Sequence, residues 1–208
     1  MQYYIKILFY FFVCFFTLNN FQINNALAEV SKNPSSSEIE NYIGNKDSNV
    51  IVIEYASMTC GHCAAFHNEV FPKLKEKYIE TGKIKFIYRD YPLDQQALYA
   101  SILARCAPKE KYFDFLELIF STQKKWVSGK DEFLDKLTNI GQLGGLSESQ
   151  ISSCFRNENL VDLVIDNRSV AEKKYNIDST PSFIINEKKF TAMSFKDFEK
   201  ILNNLLNK

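Results

Sequence analysis

Glu54-Tyr55-Ala56-Ser57-Met58-Thr59-Cys60-Gly61-His62-Cys63 is the stretch that decides how this chain is built. It opens inside Val50-Ile51-Val52-Ile53-Glu54-Tyr55-Ala56, a β-branched and nearly unbroken apolar run of the kind that forms a strand covered on both faces. Directly after it, Phe66, Val70, Leu74 and Tyr78 recur every fourth residue, the stripe of an amphipathic helix, and Pro72 within that helix predicts a kink. Cys60 and Cys63 therefore fall where a strand ends and a helix begins. A thiol reacts as its thiolate, and the unsatisfied N–H groups at a helix head stabilise a negative sulfur. Cys60 is expected to be the exposed, ionised member, and Cys63, one turn further in, the buried one that resolves a mixed disulfide.

Working outward, Gly82 closes the helix, and Lys83–Tyr88, with Ile84, Phe86 and Tyr88 alternating, predicts a second strand. Every periodic segment from Asp94 to Ile177 is helical: Gln95–Ala107, Lys111–Thr122, Asp131–Ile140, Ser147–Phe155 with a capping box, and Leu160–Tyr175. Ser182–Ile185 and Lys189–Ala192 flank a turn at Asn186-Glu187-Lys188, and a final helix from Ser194 turns Phe198, Ile201, Leu202 and Leu205 inward. The order is that of an α/β protein with an all-helical insertion at 94–177 between two parts of one sheet, 49–93 and 178–208. Residues 29–48 are a polar leader containing Asn33-Pro34-Ser35-Ser36-Ser37, with a short helix expected at Glu38–Ile43. Trp126 and the many Phe and Tyr residues after the signal are assigned to core and groove lining rather than to a cofactor box, and no organic cofactor is implied because a redox cysteine pair is covalent protein chemistry.

The N-terminus has the layout of an export signal. Lys6 precedes the apolar run Ile7–Phe16, and a polar stretch ends in Ala26-Leu27-Ala28, so cleavage is expected after Ala28. The apolar run falls short of the roughly 20 residues that span a bilayer. Removing residues 1–28 from the 208 leaves 180, enough for one domain with an insertion. The full chain carries 25 basic and 25 acidic side chains, and this balance gives no electrostatic reason to expect nucleic acid as a partner. Cys14 leaves with the signal. The remaining Cys60, Cys63, Cys106 and Cys154 permit three pairings; the short spacing favours Cys60 with Cys63, which leaves Cys106 and Cys154 as a structural disulfide or as two free buried thiols.

The motif, with Phe66, Gly82–Pro92 and Ser179-Thr180-Pro181-Ser182-Phe183, resembles the DsbA-like family of bacterial thiol:disulfide oxidoreductases in the thioredoxin superfamily. The resemblance covers essentially the whole chain after the signal. It implies a thioredoxin fold with an inserted helical domain, no cofactor beyond a redox-active Cys60–Cys63 disulfide, and a periplasmic location. It also implies reduced, unfolded exported proteins as substrates and a DsbB-like membrane oxidase for recycling. Thr180-Pro181 takes the family's cis-proline position. Glu54 takes that of an acidic residue beneath the site, where it would be a buried carboxylate able to exchange a proton with Cys63; the alternative is a Glu that reaches solvent or a Lys. A partly cationic His62 beside Cys60 would stabilise the thiolate, and therefore the reduced enzyme, by about 1.4 kcal/mol or 30 mV per pKa unit. That sign favours an oxidant. Gly61-His62 is, however, the dipeptide usual in protein disulfide isomerases, and Thr180 stands where the best-known DsbA proteins have Val. Isomerases of the superfamily are usually oligomers built through an added N-terminal segment, for which 29–48 is short, so the oxidase reading leads. Two other classes compete. Cys60, Cys63 and His67 could supply three metal ligands, or the insertion and Thr180-Pro181 could grip unfolded chains without redox turnover.

Overall fold

The computed structural model describes residues 40–127 and 132–207, so the signal segment, its cleavage point and most of the leader lie outside the described residues. Five strands make one mixed sheet: β1 Tyr42–Gly44, β2 Ile51–Ala56, β3 Lys85–Asp90, β4 Ser182–Ile185 and β5 Lys188–Thr191, in the order β1-β3-β2-β4-β5. β2 is central, parallel to β3 (Glu54 opposite Tyr88) and antiparallel to β4 (Glu54 opposite Phe183). Its burial on both faces follows from its sequence, since Ile53 and Tyr55 pack to one side and Val52 and Ala56 to the other.

The sheet starts earlier than the sequence suggested. Tyr42 and Ile43, expected at the end of a short helix, instead pair antiparallel with Ile87 and Phe86. Gly44 ends this strand at a φ of +90°, and a Cβ there would come within 2.4 Å of the Ile84 carbonyl, so only glycine fits the approach. At the far side, Asn186 and Glu187 both have positive φ and close a two-residue hairpin between β4 and β5, the geometry whose twist matches paired strands.

The helix after the motif is segmented: α1 Gly61–Ala65, a π-helical turn Phe66–Val70, α2 Phe71–Leu74, and a second π-helical turn Lys75–Ile79. Phe71 N–H reaches back five residues to the Phe66 carbonyl just ahead of Pro72, which has no N–H to give, so the expected kink takes the form of a wide turn. The inserted block comprises α3 Gln95–Cys106, a 3-10 turn Lys109–Lys111, α4 Tyr112–Ser121, α5 Gln123–Trp126, α6 Phe133–Leu143, α7 Glu148–Phe155 and α8 Glu158–Tyr175; α9 Phe195–Leu206 ends the described chain. Asp131, the expected start of the third inserted helix, lies outside the described residues. α8 covers one sheet face through Ala171 and Tyr175, over Ile53, Tyr55, Ile87 and Ile184. The other face meets Phe66, Phe71 and Leu74, together with Phe113 and Phe120 of α4 and Phe198 and Leu202 of α9, in one continuous apolar cluster. Asp90 at the end of β3 is fully buried and ion-paired with Arg105 of α3, which ties the insertion to the sheet.

Candidate active site

Strand β2 ends at Ala56, and the turn 57–59 delivers Cys60 to the N-cap of α1. The turn is held from several sides. Cys60 N–H donates to the Ser57 carbonyl at 3.1 Å, Leu93 N–H donates to Ser57 Oγ at 3.3 Å, and Thr59 Oγ1 donates to Asp94 Oδ2 at 2.8 Å. Cys60 has extended geometry (φ −74°, ψ 120°), and its Sγ accepts from the Cys63 N–H at 3.4 Å. Cys60 is half-buried, whereas Cys63 is fully buried.

These surroundings split the two thiols. The Cys63 side chain hydrogen-bonds Cys60 and is the largest influence lowering its pKa, from an ordinary value of 9.0 to about 5. Desolvation opposes this, and the Thr180 side chain and the backbone N–H groups of Cys63 and His62 add to it. Burial first, then the bond to Cys60 and the charge of Glu54, push the Cys63 thiol far up. Thr180 flanks Cys60 from the β4 side, its carbonyl 3.3 Å from Cys60 Sγ, and the Thr180–Pro181 peptide is cis. His62 is exposed, and its backbone N–H is among the groups that lower the Cys60 pKa. A Cβ on Gly61 would meet nothing within 4 Å, so space does not dictate glycine there.

Glu54 resolves to a buried carboxylate. Its side chain is fully inaccessible, and Oε2 lies 3.0 Å from His67 Nε2, not against solvent or a lysine. His67 stacks flat on Phe120 of α4 at 4.1 Å between ring centres. Among the described residues, nothing hydrogen-bonds the buried Glu54 Oε1 or His67 Nδ1. His67 thus turns to the strand, and the structure does not assemble Cys60, Cys63 and His67 into a ligand set. The sequence placed His67 one turn past Cys63 but gave no sign of its partner, which sits across the fold on β2.

Beside Cys60 a groove of about 480 Å³ runs between α1 and the β4–β5 side, lined by His62, Ala65, Phe66, Val70, Pro181 and Met193. Gln123 of the insertion also reaches the site, its side-chain amide donating to the Met58 and Cys60 carbonyls; nothing in the sequence singled it out. Cys106, the last residue of α3, is disulfide-bonded to Cys154 of α7 with Cα atoms 6.0 Å apart, and Trp126 is fully buried in the core.

A reachable low-pKa thiol at a helix head, a buried thiol one turn on and a cis-proline against the first sulfur, all on a mixed sheet, define a thioredoxin-type dithiol protein. The chain belongs to the thioredoxin family, whose model, described as Thioredoxin, matches residues 36–204, and within it to the DsbA-like proteins. It is 32% identical to α-DsbA1 of Wolbachia pipientis, with a TM-score of 0.76 over 81% of this chain and 91% of that one. It is 41% identical over 145 residues to a Rickettsia typhi chain named as a protein-disulfide oxidoreductase, covering 69% of this chain and 53% of that relative. To disulfide bond formation protein D of Bacillus subtilis it is 26% identical over 171 residues, 76% of this chain and 72% of the other. The chain spans little more than half the length of the first of the rickettsial relatives.

Proposed function

We propose that the protein is an exported thiol:disulfide oxidoreductase that introduces disulfides into reduced, unfolded exported polypeptides in the periplasm, with Cys60 and Cys63 as its catalytic pair. A substrate thiolate attacks Cys60 Sγ of the oxidised pair. The Cys60–Cys63 bond breaks, and Cys63 leaves with the electron pair and takes up a proton. A second substrate thiolate then attacks the substrate sulfur of the mixed disulfide and expels Cys60 as a thiolate. Two electrons have passed from the substrate dithiol to the enzyme, and a DsbB-like membrane oxidase would withdraw them. The position of Cys60 Sγ at the head of α1 carries this reading, because a sulfur stable as an anion is a good leaving group in the second step. Glu54, next to Cys63 in its electrostatic influence, is the acceptor or donor for that thiol's proton. Thr180 and Pro181 flank the incoming chain, and Cys106–Cys154 braces the insertion.

The names of the relatives support disulfide formation, and Lys6 ahead of the apolar run Ile7–Phe16 with Ala26-Leu27-Ala28 behind it supports export. The test is to equilibrate the protein with glutathione buffers and compare oxidation of a reduced substrate with refolding of a scrambled one. Strong oxidation without unscrambling is the expected result; efficient unscrambling would make the protein an isomerase of the same fold. Mass analysis of protein recovered from the periplasm should show a chain beginning at Glu29.

A further inference from the structure

Gln123 opens α5, a single helical turn that follows α4 in the insertion. Trp126, its last residue, is fully buried and donates from its indole N–H to the Ile119 carbonyl at 2.9 Å, which pins the turn to the end of α4. The Gln123 side chain is buried as well, and both hydrogens of its amide are spent on the active-site turn: Nε2 lies 2.8 Å from the Met58 carbonyl and 3.0 Å from the Cys60 carbonyl. Two carbonyl oxygens within reach require the NH2 end there, since the amide oxygen could bond to neither.

The Cys60 carbonyl also accepts the Ala64 N–H at 3.1 Å, the first hydrogen bond of α1. It is therefore held from within the helix and from outside it. Fixing that carbonyl fixes the plane of the peptide linking Cys60 to Gly61, which in turn aims the N–H groups of the first helical turn. The Cys63 N–H that meets Cys60 Sγ at 3.4 Å belongs to that turn.

We propose that Gln123 is the positioning residue through which the helical insertion sets the reactivity of Cys60, by clamping the Met58 and Cys60 carbonyls so that the helix head stays aimed at the sulfur. The inference rests on the reading of Cys60 as the nucleophile. Gln123→Met keeps the length and much of the volume of the side chain while removing both donors. In the reduced, folded variant the Cys60 thiolate, followed by its absorbance near 240 nm, should titrate about half a unit higher than in the wild type. The equilibrium with glutathione should shift about threefold toward the oxidised protein, the factor that half a unit represents. Gln123→Glu, which cannot donate when ionised, should shift the same way above the titration of the new carboxyl. A merely structural residue would lower the melting temperature and leave both numbers unchanged; a folded Gln123→Met with a midpoint within 0.2 unit of wild type overturns the proposal.

If Gln123→Met does not fold, the wild-type protein decides. The two Gln123 side-chain amide protons, observed by NMR, should move with the Cys60 midpoint, and resonances that stay still through that titration overturn the clamp. A wild-type Cys60 titrating as an ordinary thiol would remove the assignment of the nucleophile and this inference with it. A low wild-type midpoint unmoved in Gln123→Met removes the inference alone.

Discussion

Replacing Cys63 tests the electrostatics of the pair most directly. The largest influence lowering the Cys60 pKa is the hydrogen bond from the Cys63 side chain, while the Cys63 backbone N–H at 3.4 Å survives any substitution there. A hydrogen bond to a charged group is worth about 1.5–3 kcal/mol. Cys60 is half-exposed, and water screening reduces this to roughly 1 kcal/mol, or about 0.7 pKa unit. Cys63→Ala should therefore raise the Cys60 midpoint from about 5 to between about 5.5 and 6. Cys63→Ser, which retains an O–H donor, should stay within about 0.2 unit of wild type. Thiolate absorbance and the pH dependence of alkylation by iodoacetamide both read the midpoint. Equal midpoints in Ala, Ser and wild type would refute the role of the side-chain bond, and a wild-type midpoint near 9 would refute the helix-head account as a whole. The same titration fixes a stability trend. Because the folded pKa of Cys60 lies below its unfolded value, the reduced fold gains from ionisation above that unfolded value and loses the whole contribution as pH falls through about 5. At pH 7 the two units between 5 and 7 correspond to about 2.7 kcal/mol before screening and roughly 1–1.5 after it. The oxidised form lacks this contribution, so the urea midpoint of the reduced protein should rise relative to the oxidised one between pH 5 and pH 8.

His67→Phe preserves the ring stacked on Phe120 but leaves the buried Glu54 carboxylate without its His67 partner, so unfolding free energy should fall by about 3 kcal/mol. Adding Glu54→Leu should recover part of the loss in urea titrations, whereas a double variant no more stable than the single would show that the pair is not the cause. Cys106→Ala with Cys154→Ala opens a link spanning 48 residues and should cost about 4 kcal/mol by the loop-entropy account. Its Cys60 midpoint should remain that of the wild type, since both cysteines belong to the α3–α7 contact rather than to the Cys60 turn.

What could be read from the sequence was local, and what could not was short or tertiary. The β2 run and the stripe from Phe66 to Tyr78 place the cysteines because apolar period alone separates a doubly covered strand from an amphipathic helix. The observed β3, Lys85–Asp90, sits two residues later than expected, since Gly82 at positive φ and the Lys83 N–H bond to the Tyr78 carbonyl extend the turn before it. β1 has three residues, too few to show any period, and only its pairing with Phe86 and Ile87 makes it a strand. The helix expected from Leu160 begins at Glu158, because its cap, Asn157 Oδ1 accepting from Asn159 N–H, is a single polar contact outside the apolar pattern. Glu54 was recognisable as an anomaly within β2, but whether it faced water depended on His67, which is 13 residues away and arrives only when α1 folds back on the sheet. Gln123 lay just past the expected end of a helix at Thr122, in a four-residue turn with no periodicity of its own.

These late arrivals share an origin. Phe120 and Gln123 both belong to the corner between α4 and α5, and between them they meet the two chemically distinct parts of the site: Phe120 lies under the ring that partners Glu54, and Gln123 holds the turn that carries Cys60. The sheet and α1 fix only that one sulfur is exposed and the other buried, because that follows from the N-cap and the first helical turn. The environment of Cys63's charged neighbour and the aim of the helix head at Cys60 are set from the insertion. Substitutions at this corner should therefore move the Cys60 midpoint and the buried Glu54–His67 pair independently, through different side chains, while leaving the strand order and the Cys60–Cys63 spacing untouched.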